Sequence, residues 1–292
     1  MHSQSQFQSD LSEALLEAAR EGSITEIQSL LDRHADIHAR DYEDATPLHL
    51  ASMNGHHRCV KLLLDRHADV NARGAAGATP LHFASSKGHH RCVKLLLDRH
   101  ADIHTLDAYH NTPLHLASMK GRHQCVELLL DRHADIHTLD AYHNTPLHLA
   151  SMKGRRQCIE LLLDRHADIN ARDKQGNTPL HIASRNGHHR CIELLIDHGA
   201  DKYLTDVRHF LPLSVARSLL QPQYLACISP TNLCLSLRVD LSISQPSEAR
   251  QDTRTSRQDA RDCSIDSRSR CVPLSLMLAL TLSQSLSWRS ID

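Results

Sequence analysis

The tetrapeptide Thr-Pro-Leu-His begins at Thr46, Thr79, Thr112, Thr145 and Thr178, always 33 residues apart. A fixed period of this length marks a chain assembled from stacked copies of one small unit, and it excludes a single mixed core as the organising principle. Cys59, Cys92, Cys125, Cys158 and Cys191 keep the same step, as does the block Leu-Leu-Leu-Asp-Arg-His-Ala-Asp in the first four copies. Residues 101–122 and 134–155 are identical, the trace of an internal duplication. Aromatic residues make up only 3% of the chain, so the core must be aliphatic.

The physics of one unit follows from its residues. Thr46 is an N-cap, Pro47 takes the first helical position where its missing N–H is harmless, and His49 falls at N3. A short helix is expected to run to about Asn54 and to stop at Gly55. A second helix, from about Arg58 to Asp65, carries Cys59, Val60, Leu62, Leu63 and Leu64. The stretch from Ala68 to Ala78 is polar and extended. Helices of about two turns do not persist alone in water, so each unit must bury its apolar face against its neighbours. The expected fold class is an all-α repeat solenoid.

Thr-Pro-Leu-His-x-Ala, then Gly-His, Leu-Leu-Leu and Ala-Asp-Val-Asn-Ala, as in Ala68–Ala72, resembles the ankyrin repeat. The resemblance covers five full repeats, about 42–74, 75–107, 108–140, 141–173 and 174–206. An atypical unit precedes them at about 10–41. A broken unit follows, where Phe210-Leu211-Pro212-Leu213-Ser214 replaces the usual start. The repeat domain is therefore expected over 10–219, after a flexible segment 1–9. The resemblance implies helix pairs stacked into a curved solenoid with hairpin fingers on one side. It also implies Gly where helix 2 ends in a left-handed residue. This chain instead has His34, His67, His100, His133 and His166 there, and Gly only at Gly199. At the finger tip it has Asp44, Gly77, His110, His143 and Gly176.

The 25 histidines and nine cysteines raise the question of metal binding. His56-His57-Arg58-Cys59 and its copies look like a ligand cluster. However, the cysteine occupies the apolar position of helix 2 and reads as a small core residue. Helices about 8–10 Å apart are also too distant for a disulfide. His49 and its equivalents are read as partners of the cap threonine that brace the next unit. No metal and no cofactor are expected. There is no phosphate loop, no Gly-x-Ser-x-Gly and no zinc-protease helix, and the recurring residues recur equally in every unit, so no catalytic residue is assigned.

A partner must then be read by positions that vary between units. The resemblance places these at the finger tips and the exposed end of helix 1, lining the concave side. At the tips they include Tyr42, Tyr109, Tyr142 and Lys174; at the helix-1 ends, Met53, Lys87, Met119, Lys120, Met152, Lys153 and Arg185. One basic residue per unit falls in line, flanked by Tyr and Met, which are enriched in interface cores. A chain of formal charge -1 could thus carry a mildly basic, aromatic-dotted groove for an acidic or phosphorylated protein segment. That near balance of charge argues against nucleic acid bound by bulk electrostatics. A monomeric, cytoplasmic or nuclear scaffold without enzymatic activity is the reading. The alternatives are an adaptor or regulatory subunit of an enzyme complex, a membrane-tethered protein using the apolar run 272–282, and a histidine-rich metal binder. Residues 220–292 lack Lys and any repeat and are rich in Ser, Arg and Asp, a composition expected to be disordered.

Overall fold

The computed structural model describes residues 2–215. The tail expected over 220–292, and the apolar run within it, lie outside these residues. The elements are helices only: α1 (His2–Glu21), α2 (Ile24–Asp32), α3 (Pro47–Asn54), α4 (His57–Asp65), α5 (Pro80–Lys87), α6 (His90–Asp98), α7 (Pro113–Lys120), α8 (His123–Asp131), α9 (Pro146–Met152), α10 (Arg156–Asp164), α11 (Pro179–Arg185), α12 (His189–Asp197) and α13 (Pro212–Val215), with one 3-10 turn at Ala75–Gly77. The odd-numbered helices pack in succession as one layer and the even-numbered ones from α2 to α12 as a second; within each unit the pair also packs together.

Each first helix begins where the sequence requires. Thr46 is extended at φ -86°, and Pro47 follows at N1. Gly55, Gly88 and Gly121 then end α3, α5 and α7 in the left-handed region. These glycines are needed twice over. A Cβ at Gly55 would lie 2.5 Å from Nδ1 of His89, which the next repeat lays across it. The second helices place Cys59, Val60, Leu63 and Leu64 on the buried face, a spacing that suits a helix packed on one side. They end in a histidine of positive φ: His67 at 65°, His100 at 61°, His133 at 62° and His166 at 65°. An imidazole in that region costs more than glycine, yet all four side chains are exposed and the fold accommodates them.

One boundary differs from the sequence reading. The segment 1–9, expected to be flexible, continues α1 from His2 onward. No Pro or Gly occurs before Gly22, so nothing stops the helix. The extension is tied to the end of α2: Gln8 Nε2 donates to the His34 carbonyl at 2.8 Å, and the Arg33 guanidinium lies 5.7 Å from the Phe7 ring centre.

The layers are joined by polar ladders between repeats. His49 Nδ1 accepts the Thr46 N–H at 3.1 Å and lies 2.9 Å from Thr46 Oγ1, while Nε2 reaches the Ala78 carbonyl of the next repeat at 3.1 Å. Because Nδ1 must accept, the proton sits on Nε2 and the ring is neutral. His82, His115, His148 and His181 repeat this pattern on Asn111, Asn144, Asn177 and Phe210. The finger tips carry a second ladder of single backbone bonds: Ala75 N to Glu43 O, Ala108 N to Ala76 O, Ala141 N to Tyr109 O, Lys174 N to Tyr142 O and Val207 N to Gln175 O. A third runs along the ends of the second helices, where Arg66, Arg99, Arg132 and Arg165 pair with Asp32, Asp65, Asp98 and Asp131 of the preceding unit. These pairs are half-exposed, so each contributes on the order of 0–1 kcal/mol.

Candidate protein-interaction surface

The finger tips are held by their aspartates. Asp107 Oδ1 accepts the N–H groups of Tyr109 and Asn111, each at 2.8 Å, and Asp140 does the same for Tyr142 and Asn144. This closes each tip and lets His110 and His143 take positive φ, at 60° and 62°. Asn111 and Asn144 donate back to those carboxylates, so the tip is a rigid loop. The tyrosines beside it are thrown outward: Tyr109 is 62% and Tyr142 65% exposed, and Tyr42 reaches 88% in the first finger.

Lys87 and Lys120 are the last residues of α5 and α7, and Lys153 follows α9. All three are exposed, and none takes part in the described ion pairs. Their position at a helix C-terminus complements the partial negative charge there, a structural role that does not consume the ammonium group. Met53, Met119 and Met152, just before, are half-buried. The remaining two expected cations behave differently. Lys174 is exposed at the fifth fingertip. Arg185 is engaged within the chain, donating to Asn177 Oδ1 at 2.7 Å and lying 3.9 Å from the buried carboxylate of Asp206. It braces the last finger and is a poorer candidate for a partner contact.

Several surface residues escaped the sequence reading. Leu106 and Leu139 are 39% and 46% exposed beside the tyrosine fingers. They occupy the position held by Arg40 and Arg172, whose guanidinium groups donate to carbonyls of the next loop at 2.7 and 3.1 Å. The signal was an apolar residue at a polar loop position. The other omission is Arg122 and Arg155, which follow Gly121 at the end of α7 and Gly154 shortly after α9. Their Nε atoms donate to the carbonyls of Ser86 and Met119 in the preceding repeat, at 3.2 and 3.4 Å. His56, His89 and His188 do the equivalent with Nε2, at 2.9–3.0 Å to Arg20, Met53 and Met152.

The buried thiols are poor ligands as they stand. Burial pushes the Cys92 and Cys125 thiols up to about 12 and Cys158 to about 11, so they remain protonated core residues. Among the described residues no group of three or more His, Cys, Asp or Glu is placed to hold a metal ion, and no helix is long and apolar enough to cross a membrane.

Comparison with known proteins agrees with this architecture. A family model described as ankyrin repeats (3 copies) matches three overlapping stretches, residues 3–74, 69–140 and 114–206. No curated protein matches the chain.

Proposed function

Because the chain belongs to the ankyrin-repeat family, whose repeats are typically non-catalytic and generally mediate protein–protein contacts, we propose that it is an interaction scaffold that captures an acidic or phosphorylated protein segment on its fingertip and helix-1 surface. The observation that carries the reading is the row of Lys87, Lys120 and Lys153. These are three exposed ammonium groups at the same offset in successive repeats, none with a carboxylate partner in the described ion pairs. Tyr109, Tyr142, Met119 and Met152 would supply the apolar anchors, and Tyr42, Met53 and Lys174 the flanks. The charges would steer encounter and fix register more than they add affinity.

A pull-down or proximity-labelling experiment with the full chain identifies the partner, and its binding kinetics then test the surface. Replacing Lys87, Lys120 and Lys153 by Glu should slow association and flatten its salt dependence. The fold should persist with a modestly lower thermal midpoint, because no described ion pair is lost but a negative charge at a helix C-terminus opposes the dipole. Tyr109→Ala with Tyr142→Ala should mainly speed dissociation, by about 1–2 kcal/mol per hot spot. Glu127→Lys with Glu160→Lys, on the exposed side of α8 and α10, is the control. Loss of capture in that control, with normal binding by the lysine variant, would put the site elsewhere.

A further inference from the structure

Two sets of arginines reach back to the preceding repeat, from the ends of the second helices and from the turns before them. Arg66, Arg99, Arg132 and Arg165 each meet an aspartate one repeat back. Arg122 and Arg155 meet a backbone carbonyl through Nε and take part in none of the described ion pairs. Their stems are fixed. Arg122 Cδ would lie 2.7 Å from a Cβ on Gly88, and Arg155 Cδ the same distance from one on Gly121. Gly88 directly follows Lys87, and Ser86, whose carbonyl takes the Nε bond, directly precedes it. Arg122 therefore brackets Lys87 across the repeat boundary, and Arg155 brackets Lys120 in the same way. Residues 80–97, 113–126 and 146–159 contain no Asp or Glu. Two like-charged pairs are thus held one repeat apart with no acidic residue in those stretches to offset them.

We propose that the pairs Lys87–Arg122 and Lys120–Arg155 are two phosphate sites that together recognise a doubly phosphorylated protein segment. The Nε bond leaves the two terminal nitrogens of each guanidinium to form a planar fork, the geometry that suits a phosphate dianion, with the lysine ammonium beside it. Neighbouring helices of one layer stand about 8–10 Å apart, and a polyproline-II segment rises about 3.1 Å per residue with three residues per turn, so phosphoserines three residues apart fall on the same side at a spacing that matches the two sites. This assignment rests on the scaffold reading above and adds the ligand group and its spacing.

The test exploits a substitution the chain already contains. His56, His89 and His188 make the same carbonyl bond from the same position. Arg122→His with Arg155→His should therefore keep the repeat junctions while removing both forks, and at pH 8 an exposed imidazole is uncharged. Fluorescence anisotropy on the full chain would compare Gly/Ser host peptides carrying phosphoserines at i and i+3, one phosphoserine, or Glu at both positions. The doubly phosphorylated peptide should bind roughly tenfold or more tighter than the other two. The double histidine variant should lose that preference at an unchanged thermal midpoint. No binding of the doubly phosphorylated peptide, equal binding of one and two phosphates, or a preference that survives in the variant overturns the proposal. So does a single-stranded oligonucleotide that binds as tightly through the same arginines. A pulled-down acidic, unphosphorylated partner that is lost in the lysine variant but unaffected by the histidine variant would leave the scaffold reading standing and this one refuted.

Discussion

Acid should unfold this protein well before its carboxylates titrate. The perturbation acts on His49, His82, His115, His148 and His181, whose side chains are buried between repeats. Burial is the largest cause that holds the His49 ring neutral, lowering its pKa from 6.5 to about 4; nearby Arg40 pushes the same way, while the bond to Ala78 opposes both. His82, His115, His148 and His181 are also lowered, again first by burial. A histidine whose folded pKa is depressed binds its proton more readily when unfolded. Its stabilising contribution is therefore complete above about 6.5 and is lost as pH falls toward the folded value. For His49 the depression corresponds to about 3 kcal/mol at about 1.4 kcal/mol per unit. The geometry explains why the cost is not avoided by a small shift. Protonating Nδ1 turns an acceptor into a donor that faces the Thr46 N–H at 3.1 Å. Against a total stability of roughly 5–15 kcal/mol the His49 contribution alone is a substantial fraction, and the other four histidines act in the same direction.

The assay is urea unfolding of the full chain at constant ionic strength, followed by far-UV circular dichroism at several pH values from 7.5 to 4.5. The unfolding free energy should fall steadily below about pH 6.5. Exposed histidines also gain charge, so two variants separate the causes. Replacing His104 and His137 by Gln should leave the slope nearly intact. His148→Gln should lower stability at pH 7.5 and reduce the slope by up to about 1.4 kcal/mol per pH unit, one proton's worth. An unfolding free energy that stays flat from pH 7.5 to 5 would refute the argument, as would a slope set by the exposed pair.

Two further outcomes follow from the interior and the helix ends. Ser52, Ser85, Ser118, Ser151 and Ser184 bury hydroxyls that have no hydrogen-bond partner among the described residues, so each Ser→Ala change should raise stability by about 1 kcal/mol in urea titration; a loss would reveal a hydrogen bond to an internal water. Replacing His67, His100, His133 and His166 by Gly relieves a left-handed residue with an exposed side chain, and should gain a few tenths of a kcal/mol per site once unfolded-state freedom is deducted; a lower melting temperature for the quadruple variant would show that these imidazoles make stabilising contacts.

Much of the fold was legible because its signals are local. Thr-Pro sets each first helix within two residues, Gly55 and its copies end it, and the Cys-Val-x-x-Leu-Leu spacing orients the second helix. The role of His49 was also readable, since its first bond spans only three residues. What stayed hidden are contacts made across a repeat boundary. Arg122 reaches Ser86 at a separation of 36 residues, and nothing in its own segment marks it as different from any turn arginine. The intrachain contacts of Arg185 were hidden for the same reason: it shares the alignment position of Met53 and Met119, but only the last finger supplies the Asp206 that faces it. The extension of α1 was missed because the register was counted from the repeat, which is silent about what precedes its first copy.

The duplicated segments make this last point general. Residues 101–122 and 134–155 carry the same side chains, yet they do not present the same surface. Lys120 lies beside a carbonyl that Arg155 caps, whereas Lys153 lies beside one capped by His188. The residue that reaches back always comes from the following copy, so the chemistry at the end of a first helix is written 36 positions downstream. Lys87 and Lys120 thus share one environment, although their own repeats differ, while Lys120 and Lys153, embedded in identical sequence, do not. In a stacked chain the unit of recognition is the junction between two repeats. A substitution such as Arg155→His therefore changes the surface of the repeat before it, and this is how near-identical copies can carry sites that are not copies.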